Sequence, residues 1–178
     1  MSRVVGIDFS MTSAGVAVFD AGEWTTYTVK SSGKVTDPML TFYDRILGLA
    51  MSIYTVIQPT PDDLIVIEGL GFASKNKFRD RMQFAWHRVN EVLVRNGTGG
   101  RDLVTVAPMK VKQFATGNGS ADKADMAAAC IDRLGHTPRT TDEADAVWVA
   151  VTGAQAAGLP IEVKPLPESA DYMKEKKK

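Results

Sequence analysis

The fold is decided by residues 3–10, Arg-Val-Val-Gly-Ile-Asp-Phe-Ser, an apolar run that ends in one carboxylate. Apolar residues favour burial, whereas a carboxylate is costly to bury unless it is paired or bound to a metal ion. We therefore expect a central β-strand with Asp8 at its end, where the sheet opens toward solvent. A second short apolar run, residues 64–67, also ends in an acid, Glu68. It predicts a strand that is covered on both faces.

The chain as a whole predicts the element order β-β-β-α-β-α-β-α-α, because apolar runs and helical spacings alternate between turn residues. The predicted strands cover residues 4–9, 15–20, 24–30, 64–67 and 103–106. The predicted helices cover residues 38–57, about 80–95, about 121–134 and, starting at residue 140 or 141, the stretch to 157, with a helical turn that begins at Pro108. A meander of three strands followed by strand–helix alternation predicts an α/β protein with a mixed five-stranded sheet and helices on both faces.

Four residues are predicted to cap helices. Asp37 precedes a proline, a pair typical of a helix N-cap and its first helical position. Ser120 is expected to cap the helix that follows the glycine-rich turn. Thr140 and Glu143 have the spacing of a capping box at the start of the last helix.

The composition favours one globular domain, since the 178 residues are 44% hydrophobic and 24% charged. We assign residues 1–160 to that domain and residues 161–178 to a basic C-terminal tail that we expect to be flexible. No stretch approaches about 18 uninterrupted apolar residues, and no signal peptide is visible, so no membrane partner is expected. The single cysteine, Cys130, is expected to be buried and suits a reducing compartment. The predicted location is the cytoplasm, or the host cytoplasm if the source is viral.

Charge is distributed unevenly along the chain, although the net charge is zero. Residues 1–70 carry 4 basic and 8 acidic side chains, whereas residues 72–101 carry 7 basic and 2 acidic ones. A basic segment directly after a strand that ends in an acid fits a phosphate backbone presented to a metal site. An ordinary solvated helix face would give the same pattern. The basic side chains expected to contact DNA here are Lys75, Lys77, Arg79 and Arg81.

A second pair of acids, Asp142 and Asp145, lies three residues apart on the last predicted helix and projects from one face. Asp142 alone fits a common acid at a helix start, but Asp145 lies on a helix that otherwise looks buried. With Asp8 and Glu68 they place four acids near one end of the sheet, where divalent cations with oxygen ligands would neutralise them. Two such ions can activate water and stabilise a leaving oxygen, which is nuclease chemistry. The sequence contains no Cys/His cluster with zinc spacing.

Four ordered motifs resemble the RuvC family of Holliday-junction resolvases, which has an RNase H-like fold. The resemblance extends over about residues 3–157. Each motif alone is weakly specific, whereas the ordered set is rather specific. The motifs are Gly6-Ile7-Asp8, Val66-Ile67-Glu68, residues 111–123 (VKQFATGNGSADK) and residues 142–146 (DEADA).

The resemblance implies roles for individual residues. Lys112 and Lys123 fall where the family has basic residues that meet the DNA backbone near the cut. An aromatic wedge after the glutamate is also implied, with Phe72 as the candidate and Phe78 as its rival. The four implied catalytic residues would bind two Mg²⁺ ions, for which Mn²⁺ can substitute, with Asp8 as the bridging ligand: Asp8, Glu68, Asp142 and Asp145.

The function implied is that of a crossover junction endodeoxyribonuclease. It would work as a homodimer, with two symmetric active sites that nick a four-way junction in pairs through two-metal-ion phosphodiester hydrolysis. A broader nuclease that debranches forks and flaps, and a RuvC-like nuclease that processes ribosomal RNA, stay open as alternatives. Two further classes are an actin-like or sugar-kinase ATPase and a non-catalytic junction-binding module. The ATPase would need a second domain, for which 178 residues leave no room.

Overall fold

The computed structural model describes residues 3–71, 78–99, 103–159 and 161–166. Within these ranges the strands are β1 Val4–Asp8, β2 Ser13–Asp20, β3 Glu23–Lys30, β4 Leu64–Glu68 and β5 Val104–Val106. They form one sheet in the order β3-β2-β1-β4-β5. β1 pairs antiparallel with β2 and parallel with β4. The prediction of a mixed five-stranded sheet with the first strand at its centre is confirmed.

The helices agree with the predicted order, with one addition. The helical turn predicted at Pro108 is a helix of 9 residues, with the proline in its first turn. The helix predicted to end at residue 134 does so, although its last turn, Cys130–Leu134, is π-helical. The α-helices are α1 Met39–Ile57, α2 Arg79–Asn96, α3 Pro108–Thr116, α4 Lys123–Ala129 and α5 Thr141–Ala156.

Helices cover both faces of the sheet, as predicted. Side chains alternate along β1, because successive residues of a strand point to opposite faces. Val5 and Ile7 belong to the core that includes α1 and α2. Val4 packs against α5 on the other face, where Ala150 and Ala154 are its neighbours. The central strand is therefore buried on both sides, and only its C-terminal end can reach solvent.

Helix α5 lies unusually close to the sheet because glycines face it. A Cβ atom at Gly6 would overlap the backbone of Ala146, and one at Gly15 would overlap the backbone carbonyl of Asp142. In the reverse direction, a Cβ atom at Gly153 of α5 would overlap the side chain of Val66. The first turn of α5 is thereby held against β2 at its backbone.

Helix α1 packs on the opposite face through large side chains. By length and composition it could cross a membrane, which differs from the expectation that no stretch is apolar enough. Its side chains nevertheless contribute to the core, as in the central helix of a globular protein: Phe42, Ile46, Leu49, Ala50, Ile53 and Ile57 are buried. The outer side of the layer exposes other large apolar side chains, namely Met39, Leu40, Tyr43, Leu47, Met51 and, from α2, Phe84.

Two of the predicted caps are wrong and one is half right. The N-cap of α1 is Pro38, and the Asp37 carboxylate instead accepts from the backbone N–H of Lys34 at 2.8 Å. The N-cap of α4 is Asp122 in place of Ser120, because Asp122 and Asp125 form a reciprocal capping box.

Thr140 caps α5 as predicted, since its hydroxyl accepts from the Glu143 backbone N–H. In a full capping box the Glu143 carboxylate would also accept from the Thr140 backbone N–H, and it does not. It turns toward β3 and Arg139 instead.

Residues 161–166, at the start of the predicted tail, lie against the domain. Arg133 Nε donates to the carbonyl oxygen of Lys164 at 2.8 Å, and the Lys164 N–H donates back to the Arg133 carbonyl at 3.0 Å. Ile161 and Val163 pack against the apolar cluster around α5. Residues 167–178 lie outside the described residues, so the tail and its boundary at residue 160 stay a prediction.

Candidate functional site

A cleft of about 510 Å³ opens where β1 and β4 end. Because these strands are parallel neighbours, Asp8 and Glu68 leave the sheet side by side. The first turns of α5 supply the second pair of acids across the cleft. The structure thus brings together six residues that the sequence singles out, and their catalytic and DNA-binding roles stay predictions: Asp8, Glu68, Asp142, Asp145, Lys112 and Lys123.

Asp8 and Glu68 form a tightly interacting pair at the bottom of the cleft. Burial raises the pKa of Asp8 to about 7, and the negative charge of Glu68 adds to that effect. Burial also raises the pKa of Glu68, helped by the charge of Asp145. The two carboxyl groups share a hydrogen bond. In the absence of a cation, the site therefore holds protons at a pH at which isolated carboxyl groups have lost them.

Asp145 and Asp142 differ although they belong to the same helix. Burial raises the pKa of Asp145 to about 7, with a further contribution from the charge of Asp8. Burial acts in the same direction on Asp142, but hydrogen bonds from Lys123 and Ser13 outweigh it and lower its pKa. The Ser13 hydroxyl donates to Asp142 Oδ2 at 2.7 Å. Of the four acids in the cleft, Asp142 is thus the one whose pKa favours the ionised carboxylate.

The two lysines occupy the cleft in different ways. Lys123 Nζ lies 2.7 Å from Asp142 Oδ1 and 3.9 Å from Asp145 Oδ2. The hydrogen bond to Asp142 raises the pKa of Lys123. Lys112 lines the same cleft, and its charge lowers the pKa of both Glu68 and Asp145. Within the described part of the chain, Lys112 forms no ion pair.

The donor set suits a hard divalent cation, because carboxylate oxygens are the ligands that Mg²⁺ and Mn²⁺ prefer. The pKa values of Asp8, Glu68 and Asp145 are raised first by burial and then by the neighbouring negative charges, and a bound cation would favour the ionised form of all three. Among the described residues, no three of these side chains already converge as a ready-made chelating group. The ammonium group of Lys123 lies between Asp142 and Asp145.

Two supporting contacts near the cleft were not predicted from the sequence. Trp86 of α2 donates from Nε1 to the backbone carbonyl of Glu68 at 2.8 Å, which anchors the end of β4. The Glu143 carboxylate is only 2% exposed and accepts from the Thr26 hydroxyl at 2.8 Å and from the Arg139 backbone N–H at 3.1 Å. A glutamate among the apolar residues of α5 was the available signal for the second of these.

The residues predicted to contact DNA after Glu68 are only partly within the described ranges. Phe72, Lys75 and Lys77 lie outside the described residues, and their roles stay predictions. Phe78, the rival wedge, immediately precedes α2. Arg79 is an exposed residue in the first turn of that helix.

Arg81 is engaged within the protein. Its Nη1 donates to the backbone carbonyls of Val35 and Asp37 at 2.6 and 2.7 Å, and its guanidinium lies 4.9 Å from the centre of the Phe42 ring. These contacts tie α2 to the turn before α1. A contact of Arg81 with DNA would have to use the rest of the guanidinium, and it stays a prediction.

Comparison with known proteins gives a consistent result. A family model described as "Crossover junction endodeoxyribonuclease RuvC" matches residues 4–153. A curated relative of that name from Corynebacterium glutamicum is 32% identical over 152 residues, which cover 84% of this chain and 67% of the relative. Another from Salinispora arenicola is 33% identical over 153 residues, covering 84% of this chain and 85% of the relative.

Solved structures show the same likeness. The structure of Thermus thermophilus RuvC superimposes with a TM-score of 0.61 at 25% identity, covering 92% of this chain and 99% of that one. The structure of T. thermophilus RuvC in complex with a Holliday junction substrate gives a TM-score of 0.64 at 25% identity, covering 93% and 100%. The fold described above is therefore the RNase H-like fold of those proteins.

Proposed function

Because the chain belongs to the RuvC family, we propose that it is a crossover junction endodeoxyribonuclease that resolves four-way DNA junctions. The observation that carries this proposal is that Asp8, Glu68, Asp142 and Asp145 line one cleft together with two lysines. The relatives bear the name of that enzyme, and one solved relative is described in complex with a Holliday junction. The substrate proposed for this chain is accordingly a four-way junction.

Nuclease activity in this family is metal-dependent, and the oxygen-rich cleft supports Mg²⁺, with Mn²⁺ as a substitute. The four acids would hold the metal ions, with which they would supply activation of water and neutralisation of charge on the leaving oxygen. The acids bind such ions only as carboxylates, so Asp8, Glu68 and Asp145 must first lose the protons that burial favours. The pKa of Asp142 is lowered, so this acid needs no such proton loss.

The chain's other residues position the substrate. Lys112 and Lys123 line the cleft, where their ammonium groups would hold the phosphate at the cut and offset its developing charge. Arg79, Lys75 and Lys77 follow the catalytic strand in sequence and would contact the backbone farther from the cut. Phe72 or Phe78 would act as the wedge that opens the junction.

We also propose that the protein acts as a homodimer in the cytoplasm. A four-way junction has two-fold symmetry, so two identical sites related by a two-fold axis would nick it in pairs. The exposed apolar side chains of α1 and Phe84 of α2 offer a face for such an assembly. Sedimentation of the free protein over a range of concentrations tests the stoichiometry.

The first test is cleavage of a labelled four-way junction beside a fork, a flap and a linear duplex, each with and without Mg²⁺. Asp145→Asn is expected to lower the cleavage rate at least about a thousandfold and to leave junction binding within a few-fold, because phosphate contacts dominate binding. Asp62→Asn, an exposed acid in the turn before β4, is the matched control and is expected to cleave normally.

The outcomes separate the alternatives. Paired symmetric nicks in the junction alone support a resolvase. Comparable cutting of forks and flaps keeps the metal chemistry but makes the protein a broader debranching nuclease, and preference for structured RNA would move it to ribosomal RNA processing. Junction binding with no cleavage by any variant would indicate a non-catalytic module. Normal cleavage by Asp145→Asn would show that the carboxylate set is wrongly assigned.

A further inference from the structure

One contact in the cleft has no place in the chemistry described so far. Lys123 Nζ donates to Asp142 Oδ1 at 2.7 Å and lies 3.9 Å from Asp145 Oδ2. These are oxygens that a divalent cation would need as ligands. A protein cation and a metal ion cannot both occupy the space between the same oxygens, so the two must compete.

The backbone of Lys123 is firmly placed, which makes the contact a defined one. The residue is the first of α4, directly after the N-cap Asp122, whose carboxylate accepts from the backbone N–H groups of Ala124 and Asp125 at 3.0 Å. Helix α4 is in turn fixed to α5, because Trp148 Nε1 donates to the Met126 carbonyl at 3.1 Å. The lysine and the acids are therefore attached to two helices that hold each other in place.

The head group of Lys123, in contrast, is free to leave. Its side chain is 59% exposed, whereas those of Asp142 and Asp145 are 20% and 17% exposed. An exposed ammonium can return to water with little desolvation cost, and an exposed ion pair is weak. The pair can thus balance charge in the cleft and still yield to a stronger cation.

The electrostatic surroundings show why such a charge is useful. Asp8, Glu68, Asp142 and Asp145 all line one cleft, and like charges so close to one another repel. The positive charges facing them from the neighbouring elements are Lys123 of α4 and Lys112 of α3, and Lys30 at the end of β3 also acts on Asp142. Of these, Lys123 is the one that forms ion pairs with the acids within the described residues.

We propose that Lys123 is a built-in counter-ion of the metal-free protein, which holds Asp142 and Asp145 together until a divalent cation displaces it. The proposal rests on the proposed function, because it takes the four acids to be the metal site. Displacement leaves the ammonium at the mouth of the cleft, where a DNA phosphate would be its next partner. Lys123 would then serve two partners in succession, first the carboxylates and afterwards the substrate.

The proposal makes a prediction opposite to that for an ordinary active-site residue. Lys123→Gln removes the competitor, so Mn²⁺ should bind the DNA-free protein more tightly, by up to about fivefold given the strength of exposed ion pairs. Lys123→Arg keeps a competing cation and should bind Mn²⁺ no more tightly than the wild type. Lys112→Gln removes a charge from the same cleft without removing an ion pair, and should change the affinity by less than about twofold.

The experiment is a calorimetric titration of Mn²⁺ into each full-length variant without DNA, with thermal unfolding in EDTA as a check that each is folded. In parallel, the ammonium resonance of Lys123, assigned by its loss in Lys123→Gln, is followed by NMR as Mg²⁺ is added. We expect that resonance to show a slowly exchanging, paired ammonium that is released as the metal binds. The cleavage assay is measured separately, and there Lys123→Gln is expected to be impaired.

The results that overturn the proposal are distinct from those that overturn the function. Mn²⁺ affinity equal in Lys123→Gln and wild type, or raised as much by Lys112→Gln, would show that Lys123 does not compete for the site. An ammonium signal unchanged by saturating Mg²⁺ would show the same. If Asp145→Asn does not weaken Mn²⁺ binding, the four acids are wrongly assigned as the metal site, and the carboxylate assignment of the proposed function fails together with this inference.

Discussion

The two helical layers on either side of the sheet are built by opposite means. On the side that carries the cleft acids Asp142 and Asp145, α5 approaches the sheet closely at Gly6, Gly15 and Gly153, where a Cβ atom would overlap the facing element. On the other side, α1 contacts it through large apolar side chains such as Phe42 and Ile53. The first arrangement sets a distance, whereas the second fills a volume.

The difference teaches where precision is required in this molecule. Asp142 and Asp145 must lie within reach of acids that come from the sheet, so the separation of α5 from β1 and β2 determines the geometry of the site. No catalytic group is predicted on α1, and its layer has only to exclude water and stabilise the fold. We therefore expect substitutions on the two sides to differ in kind as well as in size.

The largest effect is expected from Gly15→Ala. The added Cβ would overlap the backbone carbonyl of Asp142. Backbone atoms cannot rotate aside as a side chain can, so α5 would have to move away from β2. We expect loss of cooperative thermal unfolding or, if the variant folds, loss of cleavage. Gly48→Ala is the matched control on α1, where nothing lies within 4 Å of the added atom. It should stabilise the protein by up to about 1 kcal/mol through helix propensity. If Gly15→Ala and Gly48→Ala were equally stable and active, the proposed difference between the two helical layers would be refuted.

Ile53→Ala should give the next largest effect, and on stability alone. The side chain is fully buried in the α1 layer, and its truncation leaves a cavity that costs about 3 kcal/mol. Denaturant unfolding measures that loss. Cleavage per folded molecule should be unchanged at a temperature where the variant is native, because Ile53 does not line the cleft. A drop in that specific activity would mean that the α1 layer also sets the site's geometry.

Glu143→Gln should have a smaller effect on stability but should affect both properties. The neutral amide loses the charge-assisted hydrogen bonds from Arg139, a change worth about 2 kcal/mol. Because Glu143 lies between Asp142 and Asp145, we also expect a higher Mg²⁺ concentration for half-maximal cleavage. Glu91→Gln, in an exposed α2 ion pair, is the control and should leave the unfolding midpoint nearly unchanged. Lower stability with an unchanged Mg²⁺ requirement would make Glu143 a purely structural residue.

A further effect, graded with pH and not caused by a substitution, is expected on the side of the sheet that carries the cleft acids. In the metal-free protein the pKa values of Asp8 and Asp145 are raised to about 7 from an ordinary value of 3.8. The folded state therefore binds more protons than the unfolded chain between these values, and its stability falls as pH rises from about 4 through about 7. Thermal unfolding in EDTA at pH 5 to 8 should show this fall. Asp145→Asn should flatten it, and saturating Mg²⁺ should reverse it at the upper end.

Much of the fold follows from local patterns in the sequence. An apolar run that ends in an acid marks both Asp8 and Glu68, because such a strand must be buried along its length and open at its end. The order of strands and helices then places those ends together. These features depend on neighbours in the chain, which is why they can be predicted without coordinates.

The contacts that organise the cleft depend instead on partners far apart in sequence. Trp86 and Glu68, which share a hydrogen bond, are 18 positions apart, and Thr26 and Glu143 are 117 positions apart. No rule based on sequence spacing predicts such pairs. The wrong cap at Ser120 has a related cause. Ser120 and Asp122 are both suitable capping residues, and only the path of the turn decides that Asp122 is used.

Cys130 can serve as a chemical reporter of the layer formed by α4 and α5. Its thiol is fully buried, its Sγ lies 3.7 Å from the Ala144 carbonyl of α5, and burial raises its pKa to about 12. An alkylating reagent at neutral pH would therefore react only when α4 and α5 separate. Since the chain has a single cysteine, the rate of labelling measures how often that separation happens, and protection by Mg²⁺ or by a DNA junction would report how firmly each closes the layer.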